Sequence, residues 1–175
     1  MDKKKFTIAQ FGKTFGLKGE LKLNLHTDFP EQFIKGRVLN TDRGDLEIEY
    51  YNPKKGVIKI KDINTPEDAK RLTNAKIYSD EEESRKYCKL EEGEHFWFDL
   101  IGSEVVEDGD SLGVVKEIIR MPMSDYFSIQ TSNDLVQEGF AKSFLLPNIP
   151  EFIKEVDTSN KKIYVTGAKD ILKES

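Results

Sequence analysis

Several short stretches of this chain alternate polar and apolar side chains, and this period of two constrains the fold more than any other feature. The alternation runs through residues 20–25, 45–50 and 57–61. A strand with this pattern places one face on a core and the other in water. Turn signals rich in Gly, Pro, Asn and Asp stand at 42–45 and 52–56. Short antiparallel strands with such closely spaced turns predict a small β-barrel or sandwich.

One helix is predicted among these N-terminal strands. Thr65 suits the N-cap and Pro66 the first helical position, and two acidic residues follow near the positive end of the helix dipole. Ala69 and Leu72 then share one face, and Asn74 is a suitable stop. We expect this helix to close one end of the N-terminal barrel before a strand resumes at 76–78.

The acidic stretch at 81–94 is predicted to be a linker between two domains, 1–80 and 95–175. It is nearly devoid of apolar residues, as linkers are. The second domain is also predicted to be rich in strands, with a stiff turn at 147–150 and a short helix starting at Ala168. Its predicted strands are 104–107, 112–119, 126–130, 140–146 and 161–165.

Composition narrows the class of protein. No apolar run exceeds three residues, which excludes a transmembrane helix, and no signal-peptide core follows the basic start. The one cysteine, Cys88, cannot form an internal disulfide or a cysteine-based zinc site. His26 and His95 also lack the short spacings of zinc ligands. We therefore expect a cytoplasmic chain without a metal or another cofactor.

Charge is distributed unevenly along the chain. Residues 1–80 carry 16 Lys/Arg and 12 Asp/Glu, a net charge of +4, whereas 81–175 carry 11 and 20, a net charge of −9. A basic half beside an acidic half indicates either a bipartite partner, with phosphate for one half and a basic protein for the other, or drift in surface composition.

The glycines and lysines at 12–22 suggest a phosphate-binding loop but do not fit one. The glycine that a P-loop requires is replaced by Thr7, and no helix pattern follows. The better interpretation is a tight turn formed with Gly12, Gly16 and Gly19. A second hypothesis is that three neighbouring lysines contact RNA phosphate; these are Lys13, Lys18 and Lys22. No nucleophile motif or paired titratable groups are present, so catalysis is not predicted.

The densest aromatic segment surrounds the single tryptophan. If it is a strand, Phe96 and Phe98 point to one side and His95 and Trp97 to the other. One set can fill a core. The other either packs at the domain junction or contacts a partner, for which aromatic side chains are favoured anchors.

These segments together resemble the ribosome maturation factor RimM family. The resemblance is collinear and covers nearly the whole chain. It rests on FGKTFGLKGELK at 11–22, TDFPEQF at 27–33, AKRL at 69–72, FWFDLIG at 96–102, LGVV at 112–115, LLP at 145–147, VD at 156–157 and KIYV at 162–165.

The resemblance implies an all-β protein with little helix. It would contain an N-terminal six-stranded barrel of the translation-factor type and a C-terminal PRC barrel. It further implies a non-enzymatic assembly factor that binds the 30S precursor with its 16S rRNA and promotes rRNA processing. Independently of the resemblance, we expect a monomer by default. The implied protein partner is small-subunit ribosomal protein nineteen of the 30S head, bound at His95, Phe96, Trp97 and Asp99.

Two alternative functions remain at this stage. A general RNA-binding barrel predicts affinity for naked 16S rRNA that falls steeply with salt and does not depend on Phe96 and Trp97. A PRC-barrel adaptor of a non-ribosomal complex predicts no co-migration with small-subunit precursors.

Overall fold

The computed structural model describes residues 4–175, which divide into two compact units. The first unit ends at Lys89 and the second is Leu90–Ser175. The first holds six strands within its described residues: β1 (Phe6–Phe15), β2 (Glu20–Leu25), β3 (Val38–Thr41), β4 (Gly44–Asn52), β5 (Val57–Ile60) and β6 (Lys76–Ser79). They form a closed barrel in the order β1-β2-β5-β4-β3-β6. The predicted six-stranded barrel is confirmed.

The alternation of buried and more exposed residues is clearest in β2, β3 and β6. In β2, Leu21 and Leu23 are buried in the core while Lys22 between them is exposed. In β5 the alternation fails, because all four residues are buried, Lys59 included. The Lys59 ammonium donates to Glu49, to Asn64 and to the carbonyl of Ile60, at 2.9–3.0 Å. These acceptors satisfy all three donors of the charged group, so that it can be buried.

The predicted helix is present as α1 (Pro66–Lys70). Thr65 is its N-cap and accepts a hydrogen bond from the Asp68 amide at 3.2 Å. Ala69 and Leu72 pack into the barrel core, as expected from their spacing. A 3-10 turn at Pro30–Gln32 lies between β2 and β3.

The acidic segment at 81–94 begins with a second helix, α2 (Glu81–Tyr87), capped by Asp80. Arg37, buried in the first unit, attaches this helix to the barrel. Its guanidinium donates to Glu83 at 3.2 Å and lies 4.1 Å from the ring centre of Tyr87. It also donates to the side chain and carbonyl of Gln32.

The second unit contains a six-stranded sheet in the order β10-β9-β8-β7-β12-β11. Its strands are β7 (Glu104–Glu107), β8 (Asp110–Arg120), β9 (Asp125–Thr131), β10 (Ser143–Pro147), β11 (Ile153–Asp157) and β12 (Lys162–Val165). All pairs are antiparallel except β12 with β7. The helices are α3 (Trp97–Leu100), α4 (Asn133–Gln137) and α5 (Ala168–Glu174). The predicted C-terminal helix is α5, and its Ala168 and Leu172 are buried.

Two sequence interpretations in this unit are wrong, and one strand was missed. The aromatic segment is not a strand, because Trp97 starts helix α3. The strand predicted at 140–146 begins only at Ser143, since α4 and the turn after it occupy the preceding residues. Strand β11 was not predicted, because its sequence, IKEVD, does not alternate regularly between polar and apolar residues.

Candidate functional site

The glycine- and lysine-rich segment forms the β1–β2 hairpin of the first unit. Gly16 and Gly19 lie in its turn with φ of 68° and 93°. A Cβ at Gly19 would come within 2.2 Å of the Ile63 carbonyl oxygen, whereas one at Gly16 would meet nothing within 4 Å. Gly12 is a correction to the predicted turn, because it lies inside β1 where the pairing with β2 shifts register.

The structure brings the predicted lysines to one hairpin and adds a second turn beside it. Lys13, Lys18 and Lys22 are all exposed. The Lys22 ammonium donates to the backbone carbonyl of Lys55 at 3.0 Å and lies 4.8 Å from the ring centre of Phe15. The sequence predicted a turn at 52–56 but did not show that Lys55 lies beside the β1–β2 hairpin, because the pairing of β2 with β5 brings the two turns together.

The predicted partner-binding residues lie together in the second unit, at α3. Phe96 precedes the helix and is buried, with 4% of its surface exposed, whereas Trp97 is 42% exposed. Phe98 stacks on Phe96 at 5.0 Å between ring centres and meets Trp97 edge-on at 5.5 Å. His95 and Asp99 are both partly buried. The three rings therefore form one cluster, in which Trp97 is the member most exposed to solvent.

Lys161 holds the C-terminal end of α3 in place. Its ammonium donates to the backbone carbonyls of Phe98, Asp99 and Ile101 at 3.0–3.2 Å. Cations at a helix C-terminus satisfy carbonyls that lack intrahelical partners. Lys161 follows a turn in which Asn160 donates to Asp157, and its own φ is 55°. Sequence analysis did not assign this role to Lys161, since 60 residues or more separate it from the carbonyls that it binds.

The described residues contain few features suited to catalysis. Burial, more than its charged neighbours, raises the pKa of the Cys88 thiol to about 11. A thiol with this pKa stays protonated at neutral pH and is a poor nucleophile. Residues 4–175 hold no group of three or more His, Cys, Asp or Glu arranged to bind a metal ion. No helix in the same range is long and apolar enough to cross a membrane.

The chain is a two-domain β protein. A closed six-stranded barrel is followed by a second β-rich unit, whose helix α3 carries Trp97 and Phe98. Family models match both parts in chain order. The model of the RimM N-terminal domain matches residues 6–84, and that of the RimM PRC barrel domain matches residues 97–171. The chain therefore belongs to the RimM family.

Full-length relatives agree with this assignment. A protein of Nitratiruptor sp. named ribosome maturation factor RimM is 46% identical over 172 residues, covering 98% of this chain and 99% of its own. Relatives of the same name from Sulfurovum sp. and Helicobacter acinonychis are 46% and 41% identical, over 97% and 96% of this chain and 96% and 98% of theirs. The crystal structure of a RimM-named protein from Pseudomonas aeruginosa aligns over 95% of this chain and 99% of its own, at 18% identity and a TM-score of 0.42. That likeness is too low to add to the assignment.

Proposed function

We propose that this protein is a non-enzymatic assembly factor of the small ribosomal subunit. In this proposal it binds the 30S precursor, contacts ribosomal protein nineteen of the head, and promotes maturation of 16S rRNA. The observation that carries the proposal is the match of both units, in order and over nearly the whole chain, to a family whose members are named ribosome maturation factors.

The second unit has the charge and the exposed aromatic residue that suit a basic protein partner. Residues 90–175 carry 8 Lys/Arg and 17 Asp/Glu, a net charge of −9. Opposite charge accelerates association and aligns two proteins, while buried aromatics supply much of the binding energy. Trp97 is the candidate anchor because it is exposed on a helix whose end is fixed by Lys161. Phe96 is buried and stacks on Phe98, so we assign it to packing within the unit.

The first unit supports an RNA contact. The lysines of the β1–β2 hairpin are exposed, and lysines of this kind bind RNA phosphates without requiring a particular sequence. We assign Lys13, Lys18 and Lys22 to 16S rRNA in the precursor.

We further propose where the protein works, in which oligomeric state, and how its domains are divided. We propose that it works in the cytoplasm, as a monomer without a cofactor. The high pKa of Cys88 supports a role without catalysis by that thiol. We also propose 1–80 and 95–175 as domains joined by 81–94. Arg37 attaches the first part of this linker, helix α2, to the barrel.

Binding of ribosomal protein nineteen tests the proposal directly. Truncating a tryptophan anchor costs about 2 kcal/mol or more, so Trp97→Ala should weaken binding about 30-fold. Met123→Ala is a matched control, because Met123 is an apolar residue of the same unit and is 96% exposed. It should leave binding unchanged. Phe96→Leu keeps apolar volume at the buried position and should retain binding. Circular dichroism checks that each variant is folded.

The outcomes separate the alternatives. If the Trp97→Ala variant binds the ribosomal protein as tightly as the wild-type chain does, the protein contact lies elsewhere on the acidic unit. If no variant and no wild-type chain binds the ribosomal protein, that partner is wrong, and a general RNA-binding barrel becomes the better hypothesis.

A further inference from the structure

Two turns of the first unit lie side by side and share one aromatic ring. Lys22 of β2 is paired with Val57 of β5, and the Leu23 amide donates to the Gly56 carbonyl at 2.9 Å. These contacts bring the turn after β4 against the β1–β2 hairpin. The Lys22 and Lys55 ammonium groups lie 4.8 and 6.0 Å from the centre of the Phe15 ring.

The lysines on these turns form no ion pairs with carboxylates of residues 4–175. Five exposed lysines are present, namely Lys13, Lys18, Lys22, Lys54 and Lys55. None has a carboxylate oxygen from residues 4–175 within 4.0 Å of its ammonium group. Lys59, on the adjoining strand, shows the opposite arrangement, with Glu49 at 2.9 Å. Like charges that crowd together without counterions repel one another, and a bound anion relieves the repulsion.

Phe15 fixes the two ammonium groups that converge on it. A cation near an aromatic ring is attracted by the negative potential of the ring face. Lys22 is held in addition by its hydrogen bond to the Lys55 carbonyl. Two flexible side chains are thereby ordered before any ligand arrives, which lowers the entropic cost of binding.

We propose that Lys22 and Lys55, positioned by Phe15, form a binding site for RNA backbone phosphate that spans the two turns, with Lys54 beside it. The inference rests on the proposed function and deepens it, because it extends the RNA contact from one hairpin to two. A basic ribosomal protein would be repelled by these lysines. The anionic component of the proposed partner particle is its RNA.

The test measures the affinity of the full chain for naked 16S rRNA as a function of salt. Each phosphate contact contributes about 0.7 to the slope of log K against log salt for single-stranded RNA. Lys22→Gln/Lys55→Gln should flatten the slope by about 1.4, which corresponds to about 25-fold weaker binding at 0.1 M salt and convergence near 1 M. Lys35→Gln/Lys70→Gln is the control, since it removes the same charge from exposed positions of the same unit. It should change the slope far less.

Phe15 is tested separately as a positioning residue. Phe15→Leu keeps the lysines and an apolar side chain but removes the ring. We expect weaker RNA binding from this variant, and recovery in Phe15→Tyr, which restores a ring. Circular dichroism confirms that all variants are folded. Recovery in the tyrosine variant separates positioning from a general loss of stability.

Three results would overturn the site. The first is that the wild-type chain has no measurable affinity for RNA. The second is that the salt slope of the double variant equals that of the control pair. The third is that the Phe15→Leu variant binds RNA as tightly as the wild type does. Binding of ribosomal protein nineteen is measured on the same preparations. If that binding persists while the salt slopes are equal, the phosphate site is wrong and the assembly-factor proposal stands.

Discussion

Gly19 allows the β1–β2 turn to pack against the loop before α1, and replacing it tests this description of the hairpin. Gly16 and Gly19 both adopt positive φ in the same turn, at 68° and 93°. They differ in their surroundings, because only at Gly19 would a Cβ collide with a backbone atom, the carbonyl oxygen of Ile63. The pair therefore separates the cost of the backbone conformation from the cost of the close approach.

The expected magnitudes follow from these two terms. Placing an L-residue in the left-handed region costs about 1–2 kcal/mol, and both Gly16→Ala and Gly19→Ala incur that cost. Forcing extra volume into a packed site adds about 1–3 kcal/mol, which applies to Gly19 alone. A contact of 2.2 Å cannot be relieved by a rotamer change, since the obstructing atom belongs to the backbone. We expect the free energy of unfolding to fall by about 2–5 kcal/mol in Gly19→Ala and by about 1–2 kcal/mol in Gly16→Ala.

Urea unfolding followed by far-UV circular dichroism measures both losses. Fluorescence is less useful for this purpose, because the single tryptophan lies in the second unit. Hydrogen exchange of the β1 and β2 amides assigns the loss to the barrel. Equal destabilisation by the two substitutions would show instead that the approach of Gly19 to Ile63 has no energetic consequence.

Two further predictions concern stability. Glu107 of β7 accepts hydrogen bonds from the amides of Ala168 and Lys169 at 2.7 and 3.3 Å. Glu107→Ala should therefore lower the free energy of unfolding by about 1–3 kcal/mol in urea titrations, and Glu107→Gln by less; a neutral Glu107→Ala would contradict this role. Hydrogen bonds from the Lys76 amide and the Tyr78 hydroxyl hold the pKa of Asp42 below its ordinary 3.8. The Asp42 carboxylate therefore contributes to the free energy of unfolding above pH 3.8, and this contribution is lost as the pH falls through the lowered pKa. Asp42→Asn should flatten the acid side of a curve of unfolding free energy measured from about pH 6 to pH 2.

The strands that the sequence predicted well are those in which alternation and burial coincide. In β2, the buried leucines and the exposed Lys22 follow the expected period. In β5, Lys59 breaks the pattern because Glu49 and Asn64, from a neighbouring strand and a loop, satisfy its ammonium group. Polar–apolar alternation along a strand predicts which apolar residues are buried, but it cannot predict that a charged residue is buried. A buried charge depends on partners that the strand itself does not contain.

The candidate site was only partly visible in the sequence, for a related reason. Three consecutive aromatics are too few to distinguish a helix from a strand by period. The α3 helix is supported at its end by Lys161, which comes from a turn far along the chain. Similarly, Lys55 and Phe15 are 40 residues apart, and the barrel pairing places them together. Contacts between residues far apart in the chain form both the α3 site and the lysine site around Phe15. Such contacts cannot be predicted from the local composition of the sequence.

The two proposed contacts differ in their physical basis, and this difference bears on how such a factor is released. A lysine–phosphate contact weakens steeply with salt because counterions rebind, whereas an aromatic anchor depends on buried apolar area and responds little. Two moderate contacts on one chain reinforce each other when both can be made at once. A factor that prefers a transient assembly state shifts the population towards that state by the difference in affinity between states. If both proposed contacts are made, maturation that removes either the RNA or the protein surface would also remove the avidity between them, and we expect the chain to dissociate.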